Sequence, residues 1–420
     1  MDLKIFPPDE LADAVIELQL SKSESARQLI IGALTPGRPL PARVADCDDT
    51  DVLLAALTDN SDGPRHVNIG AAGTAMRFLT AYFACRPGCD VTLDGSERMR
   101  RRPIGVLVDA LRKLGADIDY AGAEGFPPLR IKGRMLEGGA VELDASVSSQ
   151  FVSALLMVGP TMQHGLELHL RGNVVSTPYI YMTLSLMEAA GAKADFNENE
   201  QVIRVAYGPY SREMPPVEAD WSAASYWFEI AAISTEPVCL RGLRRRSLQG
   251  DAAVRELFKV TGLDSRFTDD GDLSLQLTPD SGSQLIADLA DTPDIAQTLA
   301  VTCCLLAIPF RLTGLQSLRI KETDRIAALQ MELSKLGFIT DVEEPGTLLW
   351  RGARFEPGEE IEPIATYDDH RMAMAFAPAA LFYPGLQILN AEVVSKSYPQ
   401  FWNHLRAAGF TLEEVEKEDA

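Results

Sequence analysis

The sequence lacks a surplus of basic residues. Its 420 residues include 60 Asp and Glu but only 39 Lys and Arg, so the formal net charge at pH 7 is −21. A chain this acidic is poorly suited to the phosphate backbone of nucleic acids, which argues against DNA or RNA as a partner. Any anionic small molecule that it binds must therefore meet basic side chains that are gathered locally.

Long apolar runs and paired cysteines are also missing. The most apolar window, residues 299–310, is too short to cross a bilayer and contains Pro309. The N-terminus lacks the basic stretch and apolar core of a signal peptide. Six cysteines without a CxxC pair and five scattered histidines indicate neither a disulfide framework nor a metal site. We expect a cytoplasmic protein that has no membrane segment and no bound metal.

A helical segment that ends in glycine and leads into a strand recurs along the chain. The spacings between successive marker glycines are 76, 71, 75 and 72 residues, the differences between Gly115, Gly191, Gly262, Gly337 and Gly409. Glycine suits the left-handed conformation that closes a helix. A weaker first copy ends at residues 57–60, where Asn60 stands in place of glycine. Six such units would fill the chain.

Most units contain a second helical segment. These segments are Ala75–Ala84, Gln150–Val158, Ala223–Ala232, Ile295–Ala307 and Met372–Phe382. Strands that alternate with helices predict an α/β chain, and its length allows two or three domains. The glycine- and proline-rich stretch Tyr207–Pro216 predicts a hinge, with a surface loop inside one domain as the alternative.

The N-terminal half offers cations and backbone N–H groups at helix starts. Ser21–Arg27 precedes an apolar run and places hydroxyls and charges on a first helical turn, which attracts anions. Gly70–Arg77 also opens a helix but lacks the Gly-Lys-Ser/Thr ending of a nucleotide P-loop. Arg102 lies beside Pro103 at the end of an arginine cluster and is the best candidate for a fixed cation. Ordinary serine caps and solvated charges are the alternative explanation.

Two further helix starts carry neutral donors. Ser148-Ser149-Gln150 and Ser176-Thr177-Pro178-Tyr179 could recognise hydroxyls and phosphate oxygens without adding charge. Helix capping alone would also explain either segment.

The C-terminal half places carboxylates beside cations. Asp294 follows a proline at a helix entrance, Lys321 and Arg325 flank Glu322, and Asp368–Arg371 opens an apolar helix. Lys396 follows in a Ser-Lys-Ser segment. The alternatives are helix capping for Asp294 and for the similar Asp220, surface i,i+3 pairing for Glu322 and a structural role for His370.

In their residues and in their order along the chain, these segments resemble the 5-enolpyruvylshikimate-3-phosphate (EPSP) synthase family, that of the 3-phosphoshikimate 1-carboxyvinyltransferases. The segments SKSxSxR, AGTAMR, RPIGxLVDALRxLGA, SSQ, KETDR and DHRMAM occur in the family's order. The resemblance implies an α/β chain with a two-domain inside-out α/β barrel of six βαβαββ repeats, the enolpyruvyl transferase fold. By the family's pattern, residues 1–18 and 218–420 form a lower domain and residues 19–217 an upper domain, each with three repeats.

The family's reaction transfers the enolpyruvyl group of phosphoenolpyruvate to the 5-hydroxyl of shikimate 3-phosphate and releases phosphate through a tetrahedral intermediate. The resemblance implies no metal or organic cofactor, and we expect a monomer. By matching motif, the residues that contact shikimate 3-phosphate are Lys22, Ser23, Arg27, Ser148, Ser149, Gln150, Ser176, Asp294, Ser317 and Lys321. Those around phosphoenolpyruvate are Lys22, Gly73, Arg102, Gln150, Arg325, Arg371 and Lys396, with Arg77 and Tyr179 as secondary candidates.

For catalysis, the family's addition step needs a base for the attacking hydroxyl and an acid for the methylene carbon. Asp294 fits the base and Glu322 the acid, and Lys22 and Lys396 complete the catalytic set. Gly73 leaves room beside phosphoenolpyruvate, and the resemblance suggests sensitivity to glyphosate.

Three positions depart from the family's pattern. Ala71 and Ser317 stand where asparagine is common, and Gln19-Leu20 replaces a usual Pro-Gly. Two alternative functions are open. One is the related UDP-N-acetylglucosamine enolpyruvyl transferase, whose reactive cysteine is absent from the matching residues 96–102. The other is a non-catalytic relative that binds shikimate 3-phosphate.

Overall fold

The chain divides into two compact units. The structure, a computed structural model, describes residues 1–12, 15–59, 63–146, 148–358 and 360–415. Unit 1 comprises Met1–Leu20 and Glu218–Ala420, and unit 2 comprises Ser21–Val217. The chain therefore crosses between the units twice, after Leu20 and after Val217.

In the described ranges the chain forms nineteen strands and twelve α-helices. The strands are β1 (Asp2–Phe6), β2 (Val15–Glu17), β3 (Arg65–Asn68), β4 (Asp90–Asp94), β5 (Asp117–Tyr120), β6 (Leu129–Lys132), β7 (Gly139–Asp144), β8 (Leu166–Arg171), β9 (Ala194–Asn197), β10 (Val202–Val205), β11 (Val238–Arg241), β12 (Leu263–Phe267), β13 (Leu273–Leu277), β14 (Leu285–Asp288), β15 (Phe310–Thr313), β16 (Asp341–Glu343), β17 (Thr347–Trp350), β18 (Leu386–Ile388) and β19 (Thr411–Val415). The helices are α1 (Lys22–Leu34), α2 (Asp48–Thr58), α3 (Gly73–Ala84), α4 (Gly105–Lys113), α5 (Ser149–Val158), α6 (Thr177–Ala189), α7 (Trp221–Ser234), α8 (Val254–Leu257), α9 (Ala296–Leu305), α10 (Arg325–Lys335), α11 (His370–Phe376) and α12 (Phe401–Ala407).

One sheet pattern recurs in both units. Four sheets place their strands in the order first, second, fourth, third, with the first two parallel and the other neighbours antiparallel. They are β3-β4-β6-β5 and β7-β8-β10-β9 in unit 2, and β2-β11-β13-β12 and β14-β15-β17-β16 in unit 1. In three of the four sheets the parallel pair is joined through a helix, as expected for a crossover connection, whereas the whole of unit 2 lies between β2 and β11 in the chain.

The fifth sheet, β18-β1-β19, closes the pattern with the start of the chain. Ile364 makes a parallel bridge to Ile388 of β18, so it occupies the position that the first strand has in the other four sheets. Strand β1 pairs antiparallel with both β18 and β19, and so takes the place of the fourth strand. Because β1 and β2 complete two sheets of unit 1, that unit needs the first residues of the chain as well as its second half.

The predicted marker glycines are confirmed as left-handed helix ends. Their φ angles lie between 84° and 102°, and each residue precedes the third strand of its sheet. A residue with a β-carbon would be strained in that conformation. The weaker first copy is represented in the described residues by α1 and α2 alone, and Asn60 lies outside the described residues.

The second helices predicted from the sequence are confirmed as α3, α5, α7, α9 and α11. Helix α11 ends at Phe376 and continues as a 3-10 turn that contains Pro378, which cannot supply the next helical N–H. Twelve of the fourteen residues of α7 are buried, which marks it as the centre of the core of unit 1. Each unit has its own apolar core.

The predicted hinge segment, Tyr207–Pro216, contains neither helix nor strand and ends just before the second crossover. Across the described residues, the helices are all too short or too polar to traverse a lipid bilayer.

Candidate active site

Arg325 is the centre of a charged cluster in unit 1. Its guanidinium bonds the carboxylates of three acidic residues: Nε lies 2.6 Å from Asp369, Nη1 2.9 Å from Asp294 and Nη2 3.0 Å from Glu322. The side chain is only 2 % exposed. A cation removed from water to this degree needs partners of opposite charge, and the planar guanidinium can serve several carboxylates at once. Burial alone lowers the pKa of Arg325, but the three carboxylates together raise it above its ordinary value.

Two helix starts bring this cluster together. Arg325 is the first residue of α10, and the carboxylate of Asp324 caps that helix by accepting the N–H groups of Ile326 and Ala327 at 3.1 Å. Asp369 caps α11 by accepting the N–H of Arg371 at 3.0 Å, while its other oxygen bonds Arg325. The same caps that begin the helices therefore fix the catalytic candidates relative to each other.

Each of the two proposed acid–base residues is shared by two cations. Asp294 bonds Arg325 through one oxygen and Arg371 through the other, the latter at 2.9 Å. Glu322 bonds Arg325 and, through its other oxygen, the ammonium of Lys396 at 2.7 Å. The side chains of Asp294 and Glu322 retain 19 % and 14 % exposure, so solvent or substrate can reach them. Sequence reasoning named all five of these residues, and the structure brings them together.

Helix capping explains one aspartate but not the other. The carboxylate of Asp220 accepts the N–H of Ala223 at 2.9 Å and caps α7, as the alternative explanation predicts. Asp294 lies within the 3-10 turn Pro293–Ile295, and its carboxylate is directed to the two arginines instead. A buried ion pair, rather than surface i,i+3 pairing, likewise describes Glu322 and Arg325.

Three further candidates lie near these helix starts. Ser317 belongs to the 3-10 turn Gln316–Ile320, and Lys321 is the residue that ends it; both are partly buried. His370 is buried at the start of α11, with Nδ1 3.8 Å from Asp369. That burial agrees with the structural role expected for His370.

Sequence reasoning missed Asp251, a buried carboxyl group of unit 1. It accepts a hydrogen bond from the hydroxyl of Ser222. Burial and the carboxylate of Asp294 raise the pKa of Asp251 to about 7, although Arg371 acts in the opposite direction. In the sequence Asp251 follows Gln249-Gly250, with Arg246 five residues before it and Arg255 four residues after it, and no local pattern indicates its burial.

Asp251 is expected to make stability depend on pH. Its pKa is raised from 3.8 to about 7 in the folded protein, so the folded state retains a proton that the unfolded state has released. The free energy of unfolding should therefore fall as pH rises from 3.8 towards 7. Urea unfolding of wild type and Asp251→Asn across this range should show a steeper fall for wild type. A difference between the two proteins that does not change with pH would contradict the assignment.

Unit 2 presents the starts of four helices that pack against one another, α1, α3, α5 and α6. Arg27, in the second turn of α1, reaches Ser153 of α5 and Thr183 of α6. Gln150, in the first turn of α5, donates to the hydroxyl of Thr74 in the first turn of α3 at 3.1 Å. These bonds bring the N-terminal turns close together, and the unpaired N–H groups of such turns favour anions.

Arg27 is buried among these helices rather than exposed on their surface. Its Nε donates to Thr183 at 2.7 Å, Nη2 to Ser153 at 3.0 Å and Nη1 to the carbonyl of Ser23 at 2.8 Å. The guanidinium also lies over the rings of Phe78 and Tyr179. Burial lowers the pKa of Arg27 to about 10, which leaves the group charged at neutral pH. These hydrogen bonds fix Ser23 and the adjoining helices.

Gly73 and Arg102 lie side by side. A β-carbon added at Gly73 would lie 2.7 Å from Nη1 of Arg102. Arg77 joins the two segments, because its guanidinium donates to the carbonyl of Gly73 at 3.0 Å and to that of Pro103 at 3.3 Å. Arg77 therefore positions the start of α3 against the loop that carries Arg102.

Lys22 pairs with an acid that sequence reasoning missed. Its ammonium lies 3.2 Å from the buried carboxylate of Asp49 in α2. Asp49 belongs to the acidic run Asp48-Asp49-Thr50-Asp51, which has the composition of an ordinary solvated helix start. Nothing local in the sequence distinguishes the buried member of that run from the exposed ones.

The serines at the helix starts differ in role. Ser148 caps α5 by accepting the N–H of Gln150 at 3.2 Å, and Ser149 is the first residue of that helix. Ser176 precedes α6 in a left-handed conformation, with φ at 55°, and its hydroxyl makes no cap bond. Capping therefore explains Ser148 and leaves the hydroxyl of Ser176 for another purpose. Within the described ranges, no cluster of three or more His, Cys, Asp or Glu side chains is suited to a metal ion.

Comparison with solved structures defines the class of protein. An EPSP synthase structure from Acinetobacter baumannii matches with a TM-score of 0.76 and 22 % identity, over 98 % of this chain and all of the other. A second EPSP synthase structure from the same organism gives a TM-score of 0.74 over 99 % of this chain. The fold is the two-domain α/β fold of the enolpyruvyl transferases.

Comparison of sequences defines the family. The family model for EPSP synthase (3-phosphoshikimate 1-carboxyvinyltransferase) matches residues 59–405. A 3-phosphoshikimate 1-carboxyvinyltransferase from Bacteroides fragilis is 51 % identical over 400 residues, which cover 95 % of this chain and 96 % of the relative. One from Escherichia coli O1:K1 is 35 % identical over 433 residues, 96 % of this chain and 98 % of the relative. The chain belongs to the EPSP synthase family and is an enolpyruvyl transferase of the shikimate pathway. The alternative functions considered above are not favoured.

Proposed function

We propose that the chain transfers the enolpyruvyl group of phosphoenolpyruvate to the 5-hydroxyl of shikimate 3-phosphate and releases phosphate. The observation that carries this proposal is the sharing of cations by two carboxylates. Asp294 bonds Arg325 and Arg371, and Glu322 bonds Arg325 and Lys396. Two carboxylates fixed in this way among cations provide the acid–base pair and the anion-binding groups that the reaction needs.

Addition comes first in the proposed mechanism. Asp294 takes the proton of the 5-hydroxyl as its oxygen bonds to C2 of phosphoenolpyruvate, and Glu322 gives a proton to C3, which becomes a methyl group. In the second step Glu322 takes a proton back from the methyl group, the double bond between C2 and C3 returns, and the bond from C2 to the phosphate oxygen breaks as Asp294 gives its proton to the leaving phosphate. The catalytic cations Lys22 and Lys396 and the arginines stabilise the charge that develops on the intermediate.

We propose substrate-binding residues in each unit. In unit 1 we propose Arg325, Arg371 and Lys396 for the anionic groups of phosphoenolpyruvate, and Lys321 and Ser317 for shikimate 3-phosphate. In unit 2 we propose, for one or both substrates, Lys22, Ser23, Arg27, Gly73, Arg102, Ser148, Ser149, Gln150 and Ser176. The bonds of Arg27 to the carbonyl of Ser23 and to two hydroxyls support a role in which it positions Ser23 and adds positive charge.

A phosphate-release assay tests the function. Purified protein is mixed with phosphoenolpyruvate and either shikimate 3-phosphate or UDP-N-acetylglucosamine as acceptor. We expect phosphate release with shikimate 3-phosphate alone. Release with UDP-N-acetylglucosamine alone would establish the rival transferase. Binding of shikimate 3-phosphate without release would indicate a non-catalytic relative.

Gly73→Ala is expected to raise the KM for phosphoenolpyruvate about tenfold, equivalent to ~1.4 kcal/mol. The new methyl group would displace the end of Arg102, which is flexible, so the fold should remain intact. The KM values for both substrates check this prediction, and that for shikimate 3-phosphate should change much less. Gly358→Ala is a suitable control, because the nearest atom to its added β-carbon is 3.6 Å away. Equal KM values for phosphoenolpyruvate in both variants would contradict the proposed role of Arg102.

Four properties complete the proposal. The protein acts in the cytoplasm, as a monomer and without a nucleic-acid partner, and glyphosate inhibits it. The net charge of −21 supports the exclusion of nucleic acid. Size-exclusion chromatography with light scattering measures the mass, for which 45.8 kDa is expected.

A further inference from the structure

Glu332 is a fully buried carboxylate of α10 that has no place in the mechanism above. One oxygen accepts the hydroxyl of Tyr367 at 2.6 Å, and the other accepts the N–H of Ala365 at 2.9 Å. The second oxygen also lies 2.7 Å from the ammonium of Lys335 on the same helix. Both oxygens therefore have partners, and two of the three partners belong to the segment that precedes α11.

Helix α10 fixes that segment at every second residue. Lys335 donates to the carbonyl of residue 363 at 2.8 Å, Glu332 bonds residues 365 and 367, and Arg325 bonds residue 369. These bonds hold residues 363, 365, 367 and 369 against the helix. The intervening Ile364 and Thr366 are buried. The helix that begins with Arg325 thus also fixes the approach to Asp369.

The backbone just before Asp369 is in an unfavourable conformation. Tyr367 and Asp368 have φ angles of 54° and 55°, in the left-handed region that residues with a β-carbon rarely adopt. A residue in such a strained conformation persists only where surrounding contacts enforce it. The bonds of Glu332 to Ala365 and Tyr367 are contacts of this kind, immediately before the strained pair.

We propose that Glu332 is a positioning residue for the transferase reaction. Its carboxylate enforces the left-handed turn at Tyr367 and Asp368, and the turn directs the carboxylate of Asp369 to Arg325 and to the start of α11. This inference rests on the proposed function, because Arg325 and Arg371 are the groups that it positions for phosphoenolpyruvate. Glu332 itself does not contact substrate.

The test uses three variants of the full chain. Tyr367→Phe removes one bond and leaves Glu332 paired with Lys335 and Ala365, so it should fold. Glu332→Gln weakens all the contacts of that side chain. The third variant combines Glu332→Gln with Asp368→Gly, because glycine adopts the left-handed conformation without strain. Glu362→Gln, an exposed change in the same segment, is the matched control.

Steady-state kinetics with each substrate varied in turn separate positioning from general stability. We expect Tyr367→Phe and Glu332→Gln to raise the KM for phosphoenolpyruvate about tenfold, with that for shikimate 3-phosphate changed by less than about twofold. Adding Asp368→Gly to Glu332→Gln should lower the raised KM for phosphoenolpyruvate about threefold, because both substitutions act on the same turn. The control should match wild type.

Other results would overturn the inference. One such result is that Glu332→Gln lowers the melting temperature and raises the KM for both substrates equally, and that adding Asp368→Gly does not lower the KM for phosphoenolpyruvate. Glu332 would then have only a structural role. If wild type is active and Tyr367→Phe and Glu332→Gln both equal it, the positioning role is absent. An inactive wild type would instead refute the proposed function, so the two failures are distinguishable.

Discussion

Replacing Glu322 by glutamine is expected to lower kcat about 10²–10⁴-fold, the usual contribution of a general acid. Glutamine has nearly the same shape, and its carbonyl oxygen can still accept a bond from Arg325 or from Lys396, which lie 3.0 and 2.7 Å from the two carboxylate oxygens. It cannot, however, give a proton to the methylene carbon of phosphoenolpyruvate. Single-turnover phosphate release measures the chemical step directly.

The control for this substitution is Glu344→Gln. Glu344 is an exposed glutamate of unit 1 that pairs with Arg319, so its replacement should leave kcat unchanged. Binding of shikimate 3-phosphate to Glu322→Gln, measured by calorimetry, should stay close to that of wild type. A variant with intact binding and a kcat within about tenfold of wild type would show that another group donates the proton.

Much of the fold follows from local patterns. The marker glycines could be recognised because a left-handed helix end strongly favours a residue without a β-carbon. The second helices could be predicted because their apolar residues continue over ten residues or more, as in α7 and α9. Both signals depend on neighbours in the chain, so no knowledge of distant contacts is needed.

The discontinuous sheets could not be derived in that way. Strand β2 pairs with β11, although more than 200 residues separate Glu17 from Val238 in the sequence. Each strand is only three or four residues long, and its partner is determined by the tertiary fold. Only the resemblance to the EPSP synthase family suggested that the first residues belong with the second half of the chain.

The site shows the same division between local and distant information. Recognisable sequence motifs contain five of the site residues, which could therefore be predicted: Asp294, Glu322, Arg325, Arg371 and Lys396. Asp49 and Glu332 were missed because an acid in or beside a helix is usually solvated, and only the packing of other elements buries these two. Asp369 has two roles, as cap of α11 and partner of Arg325, and only the first has a local signal.

Replacing Arg325 by methionine is expected to lower the free energy of unfolding of unit 1 by about 3–5 kcal/mol, the usual cost of removing one partner from a buried ion pair. The guanidinium is shared by Asp294, Glu322 and Asp369, so its loss removes a counter-charge from three carboxylates at once. Activity should be lost as well. Urea unfolding at neutral pH measures the change in stability.

Two comparisons make the Arg325 prediction specific. Arg311→Met removes an exposed arginine that pairs with Glu343, and a surface pair of this kind is worth at most about 1 kcal/mol. Acidification should reduce the difference in the free energy of unfolding between Arg325→Met and wild type. The reason is that protonation of the crowded carboxylates relieves their repulsion in the variant. Two results would contradict the prediction: an equal loss in the free energy of unfolding for Arg325→Met and Arg311→Met, or a difference between Arg325→Met and wild type that grows as pH falls. Either result would mean that Arg325 does not stabilise the three carboxylates.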